Sequence, residues 1–302
     1  MIRPALGLAA SLVLCAQAAA EGPSPSPSMG VDVFASSDAE DTEVRKLGVS
    51  VDWRNFGPDD LSGLRLEKAT FKPLGEDAQT DWRIYYRFGE AAAGWTWNGQ
   101  VGTDGAEPLG ALTVHNEGRF RQEYFLEREI IETPQGLERG VYYTFVGGAF
   151  DVPLGARDSA SVVVAAQEFT GRNLRTHLRL NYVRSLRPEW GLTAQLRARY
   201  FHSSHPGEFD YFSPRNFVQV TPTLQLRRRT GGWRYVVAAG LGAQRQTAGK
   251  WRPARSLSAQ VSSPPAKAGW SVEGAVAYSN TPVGAGATYD YRQITLGVRR
   301  AF

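Results

Sequence analysis

The sequence predicts a membrane-spanning antiparallel β-barrel of about 16 strands, within a range of about 14–18. Segments in which apolar and polar residues alternate recur along residues 30–302, with turn residues between them. The connections between these segments are alternately short and long, and the last segment ends on Phe302. Because a strand turns successive side chains to opposite faces, such a chain can present an apolar face to lipid and a polar face to a lumen.

Residues 1–20 predict a secretory signal peptide. Arg3 supplies a positive charge, an apolar run follows, and Ala18 and Ala20 form a small-residue cleavage site. The single cysteine, Cys15, follows Leu14, which is too large for the residue before a lipidated cysteine. We therefore expect Cys15 to leave with the signal and the mature chain to fold without a disulfide. Residues 21–29 are rich in Pro and Ser and predict an extended tether, and residues 30–302 are assigned to the barrel.

The composition excludes several other classes of protein. After the amino terminus no apolar run is long enough for a membrane-spanning helix. A barrel strand needs no such run, because only every second residue faces lipid. The net charge of +4 is spread among 34 basic and 30 acidic residues, so no nucleic acid partner is expected. The four histidines have no metal-like spacing, and no phosphate-binding glycine loop opens a helix, so neither a metal nor a cofactor is predicted.

The strands are predicted from alternation along the chain. No charge falls on the apolar side of the four clearest segments, where a Lys or Arg facing mid-membrane lipid would cost roughly 2–4 kcal/mol. Pro222 lies within one of them and lacks an N–H donor, so we expect a bulge or a local distortion there. Residues 64–70 and 141–146 are ambiguous. The earlier segments are 47–53, 82–88, 120–127 and 174–182, and the clearest are 192–200, 218–227, 234–244 and 270–278.

The connections and the aromatic residues carry independent signals. Short turns are predicted at 187–189, 230–232 and 264–268, and connections that mostly run longer at 202–215, 247–250 and 279–288. If Phe302 ends in the periplasm, the short turns face the periplasm, as in outer-membrane barrels. Aromatic residues near strand ends predict interfacial girdles; they are Trp53, Trp82, Trp190, Trp233, Trp270, Tyr182, Tyr200 and Tyr278.

The last segment resembles the terminal signature of bacterial outer-membrane proteins. That signature is a final Phe with apolar residues at every second position before it, here Ile294, Leu296, Val298 and Phe302. Arg300 departs from it, and we expect its long side chain to reach water near the membrane boundary. The resemblance implies a closing strand, the bacterial outer membrane as the location, and outer-membrane lipid as a partner.

Six arginines lie on the polar side of the later predicted strands. Such a set predicts a positive field in the lumen that concentrates anions and biases passage. The alternative is that the arginines pair with lumen acids such as Asp52, Glu123 and Glu273 and brace the wall. The six are Arg175, Arg179, Arg197, Arg199, Arg227 and Arg299.

A loop motif adds a second resemblance. Tyr211, Phe212, Ser213 and Pro214 precede an alternating strand, and residues 278–282 follow a later one. From about residue 172 onward the chain resembles the carboxy-terminal barrel of cellulose synthase operon protein C. Related exopolysaccharide export porins are similar, the poly-N-acetylglucosamine porin more distantly.

That resemblance implies passage of a secreted polysaccharide across the outer membrane. The family usually adds a periplasmic domain of helical repeats, and nothing of that kind lies between the tether and the first predicted strand. A polysaccharide and a separate periplasmic export component are therefore the expected partners. The alternative for Ser213 and Pro214 is a plain turn ahead of a strand.

Two other functions stay open at this level. His202 and Ser204 share one side of a predicted strand, as a base and a nucleophile of an outer-membrane lipid hydrolase would. No orienting third residue is evident, with Glu208 and Asp210 as loop candidates only. The other possibility is a structural barrel plugged by its own loops. The sequence favours a pore over both and predicts no enzyme.

Overall fold

The computed structural model describes residues 26–38, 42–57, 59–73, 75, 77–264, 269–281 and 290–302. The predicted signal peptide and most of the predicted tether lie outside these residues. Sixteen antiparallel strands form one closed barrel in which every strand pairs with its sequence neighbours and the first strand pairs with the last. The predicted fold class and strand number are both confirmed.

The strands run from 9 to 15 residues. A short helix, α1 (Pro134–Arg139), lies between β7 and β8. The strands are β1 (Ser28–Asp38), β2 (Glu43–Gly57), β3 (Asp60–Lys72), β4 (Gln79–Ala92), β5 (Trp95–Thr103), β6 (Pro108–Asn116), β7 (Gln122–Ile130), β8 (Tyr142–Pro153), β9 (Asp158–Phe169), β10 (Leu174–Arg187), β11 (Leu192–Ser203), β12 (Asn216–Thr230), β13 (Trp233–Gln246), β14 (Arg252–Ser262), β15 (Gly269–Ser279) and β16 (Tyr291–Ala301).

The closing seam lies between β1 and β16. Eleven residue pairs join them without a register shift, from Ser28 opposite Ala301 to Asp38 opposite Tyr291. Beyond the pairs, the N–H of Phe302 donates to the carbonyl of Pro27 at 3.0 Å. From Ser28 onward, β1 pairs with both β16 and β2. The strand therefore includes the last two residues of the predicted tether, Ser28 and Met29.

The predicted alternation becomes an apolar outside and a polar inside. On β2, Leu47 and Val49 are exposed, whereas Lys46 and Ser50 are buried. The same pattern leaves large apolar side chains exposed on strands all around the barrel. Such an extensive apolar surface is unfavourable in water and is stable when lipid covers it. The five tryptophans of the predicted girdles are also exposed: Trp53, Trp82, Trp190, Trp233 and Trp270.

Arg300 keeps its place on the outer face through its aromatic neighbours. Its guanidinium lies 5.4 Å from the ring centroid of Trp270 and 5.1 Å from that of Phe302. Stacking on two interfacial rings lets a cation lie on an otherwise apolar strand at the end of the barrel.

The two ends of the barrel differ. One end, here called the turn end, carries the start of β1, the end of β16 and short connections such as Gly231–Gly232, whose positive φ values of 58° and 81° suit a tight hairpin. The other end, here called the loop end, carries the longest connections: residues 131–141, 204–215 and 280–290. The predicted longer loops 202–215 and 279–288 correspond to two of these connections, but the prediction is wrong for 247–250, because the connection between β13 and β14 is shorter than the one between β14 and β15. Residues 265–268 and 282–289 lie outside the described residues.

Pro222 interrupts the pairing of β12 with β13 without forming a β-bulge. On the β11 side its pairing with Leu196 belongs to a continuous register. On the β13 side the pairing stops after Val220 with Ala243 and resumes at Thr223 with Gly240, in the same register. The missing proline N–H thus interrupts the ladder locally, as expected, but no residue is inserted.

The packed core lies inside the loop end. Residues of the connections 131–141 and 204–215, named the mouth loops here, pack on inward-facing side chains of the strands. Ile131 and Val141 are fully buried, and Tyr211 is buried to 1% exposure, in one cluster with Phe125 and Phe145. No described helix is long and apolar enough to cross a membrane.

Candidate functional site

Five of the six predicted arginines come together on one wall of the barrel. Arg175 and Arg179 lie on β10, Arg197 and Arg199 on β11, and Arg227 on β12. Arg179 and Arg199 are directly opposite each other across the β10–β11 ladder. Like charges in that position repel each other, so the pairing of Arg179 with Arg199 is electrostatically unfavourable.

Arg175 differs from the others because it is fully buried. Its Nη2 donates to the carbonyl oxygen of Phe212 at 2.6 Å, and its Nε donates to the hydroxyl of Ser203 at 3.3 Å. The rings of Phe169, Phe201 and Tyr211 surround its guanidinium at 4.6–5.7 Å. Arg175 therefore fastens the loop that carries the Tyr211–Pro214 motif, and two features separated in sequence form one structural unit.

The two mouth loops are also tied to each other. The carboxylate of Asp210 accepts hydrogen bonds from the Thr133 hydroxyl and from the backbone N–H of Gln135, the latter at 2.9 Å. Thr133 in turn caps α1 by accepting from the N–H of Gly136 at 3.2 Å. One carboxylate on loop 204–215 thus holds the start of the helix in loop 131–141.

The loop 204–215 has charged and neutral anchors of its own. Partial desolvation acts to raise the pKa of Glu208, but hydrogen bonds from Arg172, including its backbone N–H at 3.0 Å, lower that pKa overall. Burial raises the pKa of Tyr211 to about 12, and its hydroxyl accepts from the amide of Asn173 at 2.8 Å. At neutral pH the loop is therefore held by a charged Glu208 and a neutral Tyr211.

Beneath the mouth loops lies a cavity of about 570 Å³. It extends along the arginine wall as far as Gly191 at the turn end. Its cationic lining is Arg179, Arg197, Arg199 and Arg227, and its acidic lining is Glu123 and Asp151. The rest of the lining combines apolar residues, among them Phe125, Phe145 and Val163, with neutral hydrogen-bonding ones. The hydrogen-bonding residues are Asn181, Gln195, Gln219, Gln225, Thr193, Thr221, Thr281, Ser159, Ser161, Ser256 and Ser279.

Three arginines of this cavity lack acidic partners. Within the described ranges no carboxylate forms an ion pair with Arg179, Arg197 or Arg199. Arg197 donates to the side-chain oxygen of Gln195 at 2.9 Å. The buried Nε atoms of Arg179 and Arg199 have no hydrogen-bond partner there.

The opposite side of the barrel is braced by ion pairs. Asp52, fully buried, binds Arg87 at 2.8 Å and Arg299 at 3.2 Å. Arg83 binds Glu129 at 3.0 Å in the same region. The pairing alternative is therefore correct for Arg299 and its predicted partner Asp52.

The other two acids that were expected to pair do not do so with these arginines. Glu123 binds Arg121 at 2.9 Å, and Glu273 forms no ion pair with any of the six in the described part of the chain.

The hydrolase pair is not assembled. His202 Nδ1 lies 3.0 Å from the side-chain oxygen of Asn216, and Ser204 Oγ accepts from the N–H of Leu174 at 2.8 Å. The histidine within reach of Ser204 is its neighbour His205, at 3.1 Å. Among the described residues no hydrogen bond joins His202 to Ser204, and no group of three or more residues could hold a metal ion.

The sequence reading missed several lumen residues. Gln195 orients Arg197, and the amide of Gln219 donates to Thr281 at 2.8 Å, joining β12 to the loop that follows β15. The sequence signal for these residues was their position on the same strand faces as the arginines, which indicates that they face the lumen. Asp210 was considered only as a possible catalytic residue, and its role as a clamp depends on a contact between loops that are far apart in sequence.

Closed strands, an apolar outer belt and a polar interior define an outer-membrane β-barrel of the porin type. The protein belongs in the outer membrane, as the terminal strand implied.

Comparisons with known proteins agree at the level of fold. No family model matches the chain, and no curated protein matches it. Among solved structures, a bacterial polysaccharide outer membrane secretin matches with a TM-score of 0.66 and 14% identity, over 92% of this chain and 99% of that one.

Two other solved structures match less well. OccK11 (OpdR) of Pseudomonas aeruginosa matches with a TM-score of 0.47 and 12% identity, over 96% of this chain and 100% of that one. The anion-selective porin from Comamonas acidovorans matches with a TM-score of 0.41 and 14% identity, over 92% and 99%. The expected likeness to a polysaccharide export barrel is thus confirmed for the fold, and the two lower scores carry no further argument.

Proposed function

We propose that this barrel is a passage through which an exopolysaccharide or a related solute crosses the outer membrane. The observation that carries the proposal is the cavity inside the closed barrel, lined by amides, hydroxyls and arginines with Phe125 and Phe145 beside them. Amides and hydroxyls exchange hydrogen bonds with sugar hydroxyls, and aromatic rings offer faces for sliding contact. A barrel of similar fold is described as a polysaccharide outer membrane secretin, which supports the same class of cargo.

The mechanism is passive diffusion biased by charge. Arg179, Arg197, Arg199 and Arg227 line the cavity and favour anionic cargo. The other two predicted arginines have supporting roles in this proposal. Arg175 holds a mouth loop, and Arg299 braces the wall through Asp52.

The mouth loops set a condition on transport. They pack buried side chains inside the loop end, and in this proposal they move aside when a polymer crosses. A separate periplasmic export component would deliver the polymer at the turn end if that end faces the periplasm. Surrounding outer-membrane lipid covers the apolar belt.

Conductance in planar bilayers tests the proposal. We expect discrete current steps with a reversal potential that indicates anion preference. The double variant Arg197→Gln, Arg199→Gln should shift the reversal potential toward zero, whereas Arg228→Gln, an exposed arginine on β12, should leave it unchanged. An unchanged reversal potential in the double variant removes the proposed role of these arginines.

The same recordings address the alternatives. A well-inserted barrel that never shows current supports the plugged structural barrel and overturns the pore. The geometry of His202 and Ser204 gives no support to a lipid hydrolase, and we propose no enzymatic activity.

A further inference from the structure

We infer that Arg179, Arg197 and Arg199 form a discrete binding site for an acidic sugar unit, one that carries a carboxylate or a phosphate. The inference rests on the proposed function and narrows its cargo from polysaccharides in general to anionic ones. Arg179 and Arg199 stand directly opposite each other, and Arg197 faces Asn181 one step further along the same ladder. Three guanidinium groups thus occupy one side of adjacent strands above a shared cavity.

The first argument is the unmet hydrogen-bonding capacity. An arginine presents five N–H donors, and buried donors are nearly always paired in folded proteins. The buried Nε of Arg179 and that of Arg199 find no acceptor among the described residues. An anionic group placed between the two would supply these acceptors and also remove the repulsion between the cations.

The second argument is how the side chains are held. Arg199 lies 5.4 Å from the ring centroid of Phe201 and 5.8 Å from that of Phe217, and Arg179 lies 6.0 Å from that of Phe145. Stacking on aromatic rings positions a guanidinium without a carboxylate and leaves its N–H edges free to bind. A site that is preorganised in this way binds an anion without having to displace an acid first.

The third argument is the neutral surroundings. Gln219 faces Arg199 across the β11–β12 ladder, and Thr221 faces Arg197 in the same way. On the acidic side of the cavity, Glu123 already binds Arg121, and Asp151 lies on β8, three strands away from Arg197 on β11. The site thus combines a cationic centre for the acidic group with amides and hydroxyls for the sugar hydroxyls, and aliphatic or aromatic anions would leave these polar groups unused.

Titration calorimetry on the purified barrel in detergent tests the inference. The probes are trigalacturonate for a carboxylate, maltose 1-phosphate for a phosphate, and neutral maltotriose. We expect either acidic probe to bind at one site per barrel and maltotriose to bind at least about tenfold more weakly. The acidic probe that binds more tightly identifies the charged group.

Substitutions separate a defined site from a general positive field. Arg199→Gln and Arg179→Gln should each weaken binding of the acidic probe by about tenfold or more, while Arg228→Gln binds as the parent does. Arg199→Lys keeps the charge but loses the planar fork, so it should retain anion selectivity in bilayers and still lose affinity. Folding of each variant is checked by heat-modifiable mobility, and the two single substitutions are measured separately.

The outcomes distinguish this inference from the proposed function. Equal binding by Arg199→Gln, Arg179→Gln and Arg228→Gln, or equal binding of maltotriose and the acidic probes, overturns the site. Anion-selective current without saturable binding also overturns the site and leaves the pore standing. Saturable, arginine-dependent binding in a barrel that never conducts supports the site and overturns the pore.

Discussion

At the scale of single residues, the six arginines on the polar strand faces make three kinds of contact: with a loop, with an acid or with the cavity. All six lie on the polar side of their strands, as predicted. Whether such a side chain meets a loop, an acid or the cavity depends on its depth and on distant segments. Arg175 is covered by a loop that begins almost thirty residues further along the chain, and Arg299 meets Asp52 across the closing seam. Alternation carries no information about either contact.

Replacing Arg175 with Lys should loosen the loop 204–215. A lysine retains the charge but loses the stacking on three rings and the directed bond to the Phe212 carbonyl. The loss of a hydrogen bond from a buried charged group is worth about 1.5–3 kcal/mol. We expect chymotrypsin to cut whole-cell or vesicle preparations faster at Phe209, Tyr211 or Phe212. Arg215→Lys, an exposed position in the same loop, is the control, and equal cutting in the two variants would contradict the anchoring role.

At the scale of elements, the strands were predictable and α1 was not. A strand repeats its pattern over many residues, whereas six residues are too few to show helical periodicity. The local signals were nevertheless present. Thr133 caps the helix, Pro134 occupies its first turn, and Gly140 ends it in the left-handed conformation with φ 61°.

Removing the Asp210 carboxylate should separate the mouth loops. In Asp210→Ala the Thr133 hydroxyl and the Gln135 N–H lose their acceptor, and lost helix caps typically cost about 1 kcal/mol. We expect more frequent or longer channel openings in single-channel recordings, because the two mouth loops are less firmly joined to each other. Asp77→Ala, an exposed acid in a loop at the same end, serves as the control. Identical opening statistics for the two variants would show that the clamp does not limit opening.

At the scale of the whole molecule, the number of strands, the position of two of the longest loops and the apolar exterior could be predicted from the sequence. They could be predicted because each rests on a local rule that is repeated around the barrel. The packing of the mouth loops inside the loop end could not be predicted, since it arises where loops from separate hairpins meet. Pattern analysis likewise could not predict that one side of the interior is braced by ion pairs, whereas Arg179, Arg197 and Arg199 on the other side have no acidic partner among the described residues. Such contacts depend on which strands closure of the barrel brings near each other.

The two sides should respond to substitution in opposite ways. Asp52→Asn leaves Arg87 and Arg299 without their shared acid and should lower the free energy of unfolding by about 3 kcal/mol. Arg199→Gln relieves the repulsion with Arg179 and should leave stability unchanged or raise it. Urea titration of barrels refolded into lipid vesicles measures both. Equal destabilisation by the two substitutions would show that the arginine wall is as structural as the braced side.

The seam between β1 and β16 has a consequence for engineering. Ser28 faces Ala301 directly, and the carbonyl of Pro27 accepts from the N–H of Phe302, so the first and last residues of the described barrel wall lie side by side on one rim. A brief peptide could join Pro27 to Phe302, and the polypeptide could then be cut at a connection of the loop end. Such a permuted ring would retain all sixteen neighbour relations while moving its free ends to the opposite rim.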